Sequence, residues 1–122
     1  MTNHGFGLLY EMGCGKTLTA IAITGAAFLK GKVKKLLVVA PASVVPVWSK
    51  EFDNFADFPY MVGTMQGTAN KKIEILKRLQ LSEQHMSKPM LYVAVINYES
   101  VWREQIFDTI KKWNPDMIIC DE

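Results

Sequence analysis

Two hydrophobic periodicities alternate along the chain, and this alternation limits the possible folds more than any other feature of the sequence. Short runs rich in apolar and β-branched residues are each followed by a longer stretch in which apolar residues recur at spacings of three and four. The short runs predict strands and the longer stretches predict helices that cover them. Strands and helices that alternate in this way form a parallel sheet between helical layers. We therefore expect an α/β, three-layer fold with a parallel sheet and flanking helices.

The pattern predicts five strands and four helices. Strands are predicted at 6–10, 36–40, 60–64, 90–96 and 117–120, helices at 16–29, 70–79 and 99–113, and a further helix follows Ser43, which would cap it. A polar loop is predicted at 82–88, and the Gly31 region is expected to end the first helix in a left-handed cap. The helix residues predicted to be buried include Leu18, Ile21, Gly25, Phe28, Leu29, Val45, Trp48, Phe52, Phe55, Ile73, Leu76, Leu79, Trp102, Ile106, Ile110 and Trp113.

A glycine-rich turn joins the first predicted strand to the first predicted helix. Residues 10–17 read Tyr-Glu-Met-Gly-Cys-Gly-Lys-Thr, which matches the general phosphate-loop pattern except that Tyr10 replaces its first glycine. Backbone N–H groups of such a turn can surround phosphates, and the helix directs its positive end towards them. Lys16 would reach the β- and γ-phosphates, and Thr17 would bind magnesium. The candidate nucleotide-binding residues are Met12, Gly13, Cys14, Gly15, Lys16, Thr17 and Leu18.

An acidic pair follows the last predicted strand. Asp121 and Glu122 come directly after an apolar run, where an aspartate can hold magnesium and a neighbouring carboxylate can orient or deprotonate the attacking water. The candidate catalytic residues are therefore Lys16, Asp121 and Glu122, and the candidate magnesium ligands are Thr17 and Asp121. A glycine turn with a surface lysine, followed by a solvated acidic pair, is the alternative interpretation.

Charge and cysteine content add little to this hypothesis. The formal charge of +2 is too small to indicate nucleic-acid binding, and we interpret the clusters at 30–35, 71–72 and 77–78 as solvated surface. The two cysteines suit free thiols in a reducing compartment. Apolar runs are much shorter than the roughly 20 residues of a membrane helix, so no membrane contact is predicted. His4 and His85 have no partners at metal-ligand spacing.

Four segments together resemble a known family. Residues 8–18 are similar to motif I of the Snf-type DNA translocases of helicase superfamily two, in which an acidic-Met-Gly-x-Gly-Lys-Thr run is characteristic and the first glycine is also absent. Residues 37–48 resemble motif Ia, residues 95–99 resemble the next DNA-side motif, and residues 117–122 resemble the start of motif II. The matches follow the family's order across nearly the whole chain, although the family commonly has aspartate at the position of Tyr10.

The resemblance implies a specific biochemical role. Residues 1–122 would form the N-terminal part of a single RecA-like, P-loop ATP-binding lobe in a larger two-lobe, helicase-like protein. ATP and Mg²⁺ would be its cofactors, and hydrolysis would move the full-length protein along duplex DNA in the nucleus or on the nucleoid within the cytoplasm. DNA backbone contacts, without sequence specificity, would come from Pro41, Ala42, Ser43, Asn97 and Tyr98. A helix cap at Ser43 and a turn at Asn97 and Tyr98 are the alternatives.

Family members also have parts that this sequence does not show. These are a base-contacting segment before motif I, a third motif after motif II, and a second lobe that supplies arginines to the γ-phosphate. We therefore expect the 122 residues alone to be inactive in hydrolysis. In the implied arrangement the strand after motif II lies between the motif I and motif II strands, so an open seam is expected between those two strands.

Two other functional classes remain open from the sequence. A different P-loop NTPase, such as a nucleotide kinase or a protein-remodelling ATPase, would use Lys16, Thr17 and Asp121 but would have no use for Ser43 or Asn97. A truncated, non-catalytic module that binds a partner would need none of these side chains. Substitution of both Ser43 and Asn97 would weaken DNA stimulation of a translocase and leave it intact in this other NTPase.

Overall fold

The computed structural model describes residues 9–12, 17–85 and 88–121. Strands and helices alternate along these residues as the sequence predicts. The elements are β1 Leu9–Met12, α1 Thr17–Leu29, β2 Lys35–Ala40, α2 Val45–Phe55, β3 Tyr60–Thr64, α3 Ala69–His85, β4 Leu91–Asn97, α4 Tyr98–Val101, α5 Glu104–Trp113 and β5 Met117–Asp121.

The strands form one five-stranded sheet in the order β1-β5-β2-β4-β3, and each neighbouring pair is parallel. The α/β fold class is therefore confirmed. Because all strands run in the same direction, their carboxyl ends meet at one edge of the sheet. Met12 lies opposite Asp121 and Ala40 lies opposite Asn97 in the register. We call this edge, where β1, β2, β4 and β5 end, the carboxyl edge.

Helices cover both faces of the sheet. Along β2, Leu36 and Val38 pack into the core beneath α1 and α2, whereas Leu37 and Val39 pack into the core beneath α3 and α5. This alternation follows from the two-residue repeat of a strand, and it explains why the run is apolar without interruption. The buried helix residues that the sequence predicts correctly are Ile21, Gly25, Phe28, Val45, Trp48, Phe52, Leu76, Leu79, Ile106, Ile110 and Trp113.

The expected open seam between the first and last strands is wrong. Hydrogen bonds join β1 directly to β5, in a parallel register that runs from Leu9 opposite Ile118 to Met12 opposite Asp121. This pairing satisfies backbone donors and acceptors that an open seam would leave unpaired. Because unpaired backbone groups are energetically unfavourable, direct pairing of the two strands is favoured. The carboxyl ends of β1 and β5 are consequently direct neighbours.

The helix predicted at 99–113 is broken into α4 and α5. Arg103 has an extended backbone, with φ −67° and ψ 132°, so the helical repeat is interrupted between Val101 and Glu104. Trp102 therefore does not share the buried face of Ile106 and is 75% exposed, which corrects the prediction that it is buried. Asn114, at φ 59°, ends α5 in the left-handed conformation typical of a helix C-cap.

Of three other predicted helix boundaries, two are wrong and one is confirmed. The predicted loop at 82–88 is wrong in its first half, because α3 continues to His85. Ser43 is not the cap of α2, whose N-cap is Val44 without a side-chain hydrogen bond. Gly31, at φ 75°, confirms the expected left-handed end of α1.

Two residues near helix ends are exposed rather than buried. Leu29 is the last residue of α1 and Phe55 is the last of α2, and they are 73% and 46% exposed. None of the helices in the described residues is long and apolar enough to cross a membrane.

Candidate functional site

The carboxyl edge places Met12, the first residue of the predicted nucleotide-binding segment, opposite the predicted acidic residue Asp121. β1 ends at Met12 opposite Asp121, and α1 begins at Thr17, with Leu18 next to it in the first turn. The predictions for Gly13, Cys14, Gly15, Lys16 and Glu122 fall outside the described residues.

Hydrogen bonds from two aromatic side chains hold Asp121. The indole Nε1 of Trp48 donates to Oδ2 of Asp121 at 3.0 Å, and the hydroxyl of Tyr98 donates to the backbone carbonyl of Asp121 at 2.9 Å. Asp121 is buried, with 9% of its surface exposed. The indole bond occupies one carboxylate oxygen, and a carboxylate has a second oxygen with which to bind a metal ion.

The sequence predicts only part of the role of Trp48. Its spacing with Phe52 predicts a core residue, and it is 1% exposed with its ring centroid 6.3 Å from that of Phe52. The polar contact with Asp121 was not predicted. A buried indole N–H usually has an acceptor, so the sequence could have indicated that a partner exists. It could not indicate which acceptor, because the two residues are 73 positions apart.

The residues predicted to contact DNA come from two neighbouring segments of the carboxyl edge. Ala42 and Ser43 are exposed in the turn between β2 and α2, and Pro41 is partly buried there. Asn97 ends β4 and Tyr98 begins α4. Because Ala40 is the register partner of Asn97, both segments leave the sheet side by side.

Lys72 is a further polar residue at this edge that the sequence did not single out. Its Nζ donates to Oδ1 of Asn97 at 3.2 Å and to Oγ of Ser100 at 2.5 Å. The interpretation of residues 71–72 as solvated surface is therefore wrong for Lys72, which is partly buried, and holds for Lys71, which is exposed. Lysines can extend apolar stems across several residues, so sequence spacing does not reveal such contacts.

Two adjoining pockets lie on either side of Lys72. One of about 180 Å³ is also lined by Ala42 and Asn97, and the other of about 290 Å³ is also lined by Ser100 and Arg103. We call this pair of pockets the Lys72 groove. Its lining combines two cations with hydroxyl and amide groups, which is the chemistry that binds phosphate oxygens.

A parallel α/β sheet whose first strand is followed by a helix, with a carboxylate at its carboxyl edge, is typical of nucleotide-binding lobes. The family model of the SNF2-related domain matches residues 1–122. This chain belongs to the SNF2-related domain family, and the resemblance to Snf-type translocases is thereby confirmed at the level of the family.

Individual relatives agree with this assignment. The chain is 31% identical over 118 residues to human DNA repair and recombination protein RAD54B, covering 92% of this chain and 12% of that protein. It is 29% identical over 119 residues to DNA repair and recombination protein RAD54-like of Drosophila ananassae, covering 92% of this chain and 14% of that protein. The chain therefore spans a small part of the length of these relatives.

A solved structure supports the fold. The Sulfolobus solfataricus SWI2/SNF2 ATPase core in complex with dsDNA matches with a TM-score of 0.51 and 18% identity. The match covers 98% of this chain and 27% of that one. The comparison agrees with an α/β lobe of the RecA-like type.

Proposed function

We propose that this chain is the nucleotide-binding part of a DNA-dependent ATPase, which hydrolyses ATP with magnesium and moves along duplex DNA in the full-length protein. The observation that carries the proposal is the position of Asp121, a buried carboxylate directly opposite Met12 at the end of β1. A phosphate loop between β1 and α1 would place a triphosphate beside this carboxylate.

The residues at this edge suit a magnesium nucleotide. Carboxylate and hydroxyl oxygens are ligands that Mg²⁺ prefers, and Asp121 and Thr17 would supply one of each. Lys16 would bind the β- and γ-phosphates, and Glu122 would orient or deprotonate the attacking water. Bound magnesium would neutralise charge that develops on the phosphate oxygens. Burial of Asp121 strengthens its electrostatic interaction with such a site.

Duplex DNA would lie across the neighbouring part of the carboxyl edge. Pro41, Ala42 and Ser43 would approach one stretch of backbone, and Asn97 and Tyr98 would approach it from the adjacent strand end. Exposed hydroxyl, amide and backbone N–H groups bind phosphate oxygens without reading bases, so the grip would be independent of sequence. The Lys72 groove opens beside Asn97 and would add positive charge to this surface.

A second RecA-like lobe would complete the enzyme. Arginines from such a lobe are worth roughly a thousand-fold to a hundred-thousand-fold in the rate of phosphoryl transfer, so the 122 residues alone would turn over negligibly. The matched relatives carry names that refer to DNA repair, recombination and chromatin remodelling, which favours a DNA-associated location. That location would be the nucleus in a eukaryote and the nucleoid in a bacterium.

ATP hydrolysis by the full-length protein, measured with and without duplex DNA, tests this proposal. We expect hydrolysis to be stimulated by DNA of any sequence and to be abolished by Lys16→Ala. An absence of DNA stimulation, or full activity in Lys16→Ala, would refute it.

A second pair of substitutions separates a translocase from other P-loop NTPases. The start of α2 does not depend on a cap from Ser43, so Ser43→Ala should leave that helix intact. Combined with Asn97→Ala, it should reduce DNA stimulation while hydrolysis without DNA continues. Stimulation that is unchanged in the double variant would favour a nucleotide kinase or a protein-remodelling ATPase.

A further inference from the structure

Asp121 is fixed at two points by donors from two different helices. The indole of Trp48 on α2 binds its carboxylate, and the hydroxyl of Tyr98 on α4 binds its backbone carbonyl. Trp48 is 1% exposed and Asp121 is 9% exposed, so water competes little for the indole bond. A charge-assisted hydrogen bond in such surroundings strongly restricts the rotation of the carboxylate.

Both donors lie close in sequence to the segments that we propose to face DNA. Trp48 lies on α2, five residues after Ser43 in the 41–43 turn, and α2 is packed into the core through Val45, Trp48 and Phe52. Tyr98 belongs to the second of these segments and directly follows Asn97. The two DNA-side segments and the carboxylate are therefore connected through one packed helix and one peptide bond.

We propose that Trp48 and Tyr98 are positioning residues for Asp121, through which the two DNA-side segments control the geometry of the magnesium-binding carboxylate. This inference rests on the proposed function, since it assigns Asp121 to magnesium. DNA that shifts the 41–43 turn or Asn97 would change how the indole and the hydroxyl hold Asp121. The effect of DNA on hydrolysis would thereby arise within this lobe as well as between lobes.

Loss of the indole N–H should weaken the magnesium site without removing a ligand. Groups that orient a metal ligand typically contribute 10-fold to 100-fold to metal affinity or activity. We expect the magnesium concentration for half-maximal hydrolysis to rise about 10-fold when the indole donor is removed. Binding of ATP in the absence of magnesium should stay the same, because the proposed phosphate-binding residues, such as Lys16, would be unchanged.

The sharpest test replaces the indole N–H without changing the shape of the ring. β-(3-Benzothienyl)alanine has sulfur in place of the N–H group, and it is introduced at position 48 of the full-length protein. Trp113 provides a matched control, because it is 2% exposed and its Nε1 has no hydrogen-bond partner among the residues that the structure describes. The replacement at 48 should raise the magnesium requirement and reduce DNA stimulation, and the replacement at 113 should change neither.

A spectroscopic measurement tests the contact without relying on activity. With 5-fluorotryptophan incorporated, the ¹⁹F resonance of position 48, assigned by Trp48→Phe, should shift in the Asp121→Asn variant. The resonance of position 113 should stay in place. Addition of magnesium and a non-hydrolysable ATP analogue should also move the first resonance more than the second.

Tyr98→Phe tests the second contact. It retains the ring and removes the hydroxyl that binds the carbonyl of Asp121, so DNA stimulation should fall and the magnesium requirement should rise.

Each possible failure identifies which idea is wrong. The positioning role of Trp48 would be overturned by an unchanged magnesium requirement after replacement at 48. It would also be overturned if the ¹⁹F resonance of position 48 did not shift in Asp121→Asn. A Tyr98→Phe protein with a normal magnesium requirement would overturn the positioning role of Tyr98, because a loss of stimulation alone would also follow from a lost DNA contact. A wild-type protein without DNA-stimulated hydrolysis would instead refute the proposed function, and the ¹⁹F experiment would still report on the Trp48–Asp121 contact.

Discussion

Two aspartates stand at opposite ends of the last strand, and they are bound in opposite ways. Asp116 precedes β5, and its Oδ2 accepts hydrogen bonds from the backbone N–H groups of Lys34 at 2.9 Å and Lys35 at 3.1 Å. Asp121 ends β5, and its Oδ2 accepts a hydrogen bond from the side chain of Trp48.

This difference separates a structural carboxylate from a candidate functional one. The backbone donors at Asp116 fasten the start of β2 to the segment before β5, a role reinforced by the hydrogen bond from the N–H of Asp116 to the carbonyl of Lys35. Asp121 is held instead by side chains from two helices, at the edge where ligands bind in parallel α/β sheets. Substitution should therefore affect stability at one end of β5 and chemistry at the other.

The largest expected effect is on hydrolysis in the Asp121→Asn variant. A metal ion contributes several kcal/mol to the stabilisation of a phosphoryl-transfer transition state, so weakening its protein ligand should lower DNA-stimulated hydrolysis by about 100-fold or more. The amide retains the shape of the carboxylate and can still accept the indole hydrogen bond, so the denaturation midpoint should change little. A variant with a normal hydrolysis rate would contradict the comparison.

The next largest effect is on stability in the Asp116→Ala variant. Loss of two hydrogen bonds to a partly exposed carboxylate should lower the free energy of unfolding by about 1–2 kcal/mol. Urea denaturation of the full-length protein measures this change, and hydrolysis per folded molecule should stay at the wild-type level. A loss of hydrolysis without a loss of stability would show that Asp116 has a functional role rather than a structural one.

The fold was more predictable from the sequence than the site. Strand positions such as 60–64 and the buried faces of α2 and α5 follow from local periodicity, which needs no knowledge of distant residues. The contacts of Trp48 with Asp121 and of Lys72 with Asn97 join residues that are far apart in sequence. Such contacts depend on which strands become neighbours, and the pairing of β1 with β5 differs from the expected seam.

Exposed aromatic residues show another limit of periodicity. Trp102 fits the helical repeat of α5, but it precedes the break before Glu104. Its spacing therefore predicts a buried side chain, whereas the side chain is exposed. A single extended residue at Arg103 is enough to rotate the preceding side chain off the buried face. No common sequence signal marks that break, because arginine is a good helix former.

Lys72→Ala should have a smaller effect that is confined to DNA binding. Removal of one phosphate-binding cation should weaken the affinity for duplex DNA a few-fold, uniformly across sequences, and reduce the salt dependence of binding by about one unit of slope. Lys71→Ala is the matched control, since Lys71 is the exposed neighbour of Lys72. Fluorescence anisotropy at several salt concentrations measures both, and equal effects of the two variants would remove the Lys72 groove from the DNA surface.

The smallest effect concerns a third carboxylate, Asp53. The hydroxyl of Tyr60 donates to Asp53, and this hydrogen bond, followed by burial and the negative charge of Asp53, raises the pKa of Tyr60 from 10.0 to about 12. A raised pKa in the folded state gives stability that is present below pH 10.0 and is lost as pH rises through about 12. Tyr60→Phe should therefore reduce the slope of stability against pH in that window.

A control separates this contact from other tyrosines. Tyr92 also has a raised pKa, caused by burial and then by Glu83, and it contributes its own alkaline loss of stability. The slope that remains in Tyr60→Phe should belong in part to Tyr92. A pH profile of Tyr60→Phe identical to that of the wild type would show that the bond to Asp53 does not contribute.

Lys16 and Asp121 should act on the same magnesium nucleotide at the carboxyl edge, and every other part of the proposed function depends on this. Binding of Mn²⁺ with a non-hydrolysable ATP analogue to the full-length protein, followed by electron paramagnetic resonance, tests it in a double-mutant cycle. Lys16→Ala and Asp121→Asn should each weaken Mn²⁺ binding in the presence of the analogue, and the double variant should lose less than the product of the two single losses. Strictly independent effects, or Mn²⁺ binding that neither substitution changes, would contradict the claim.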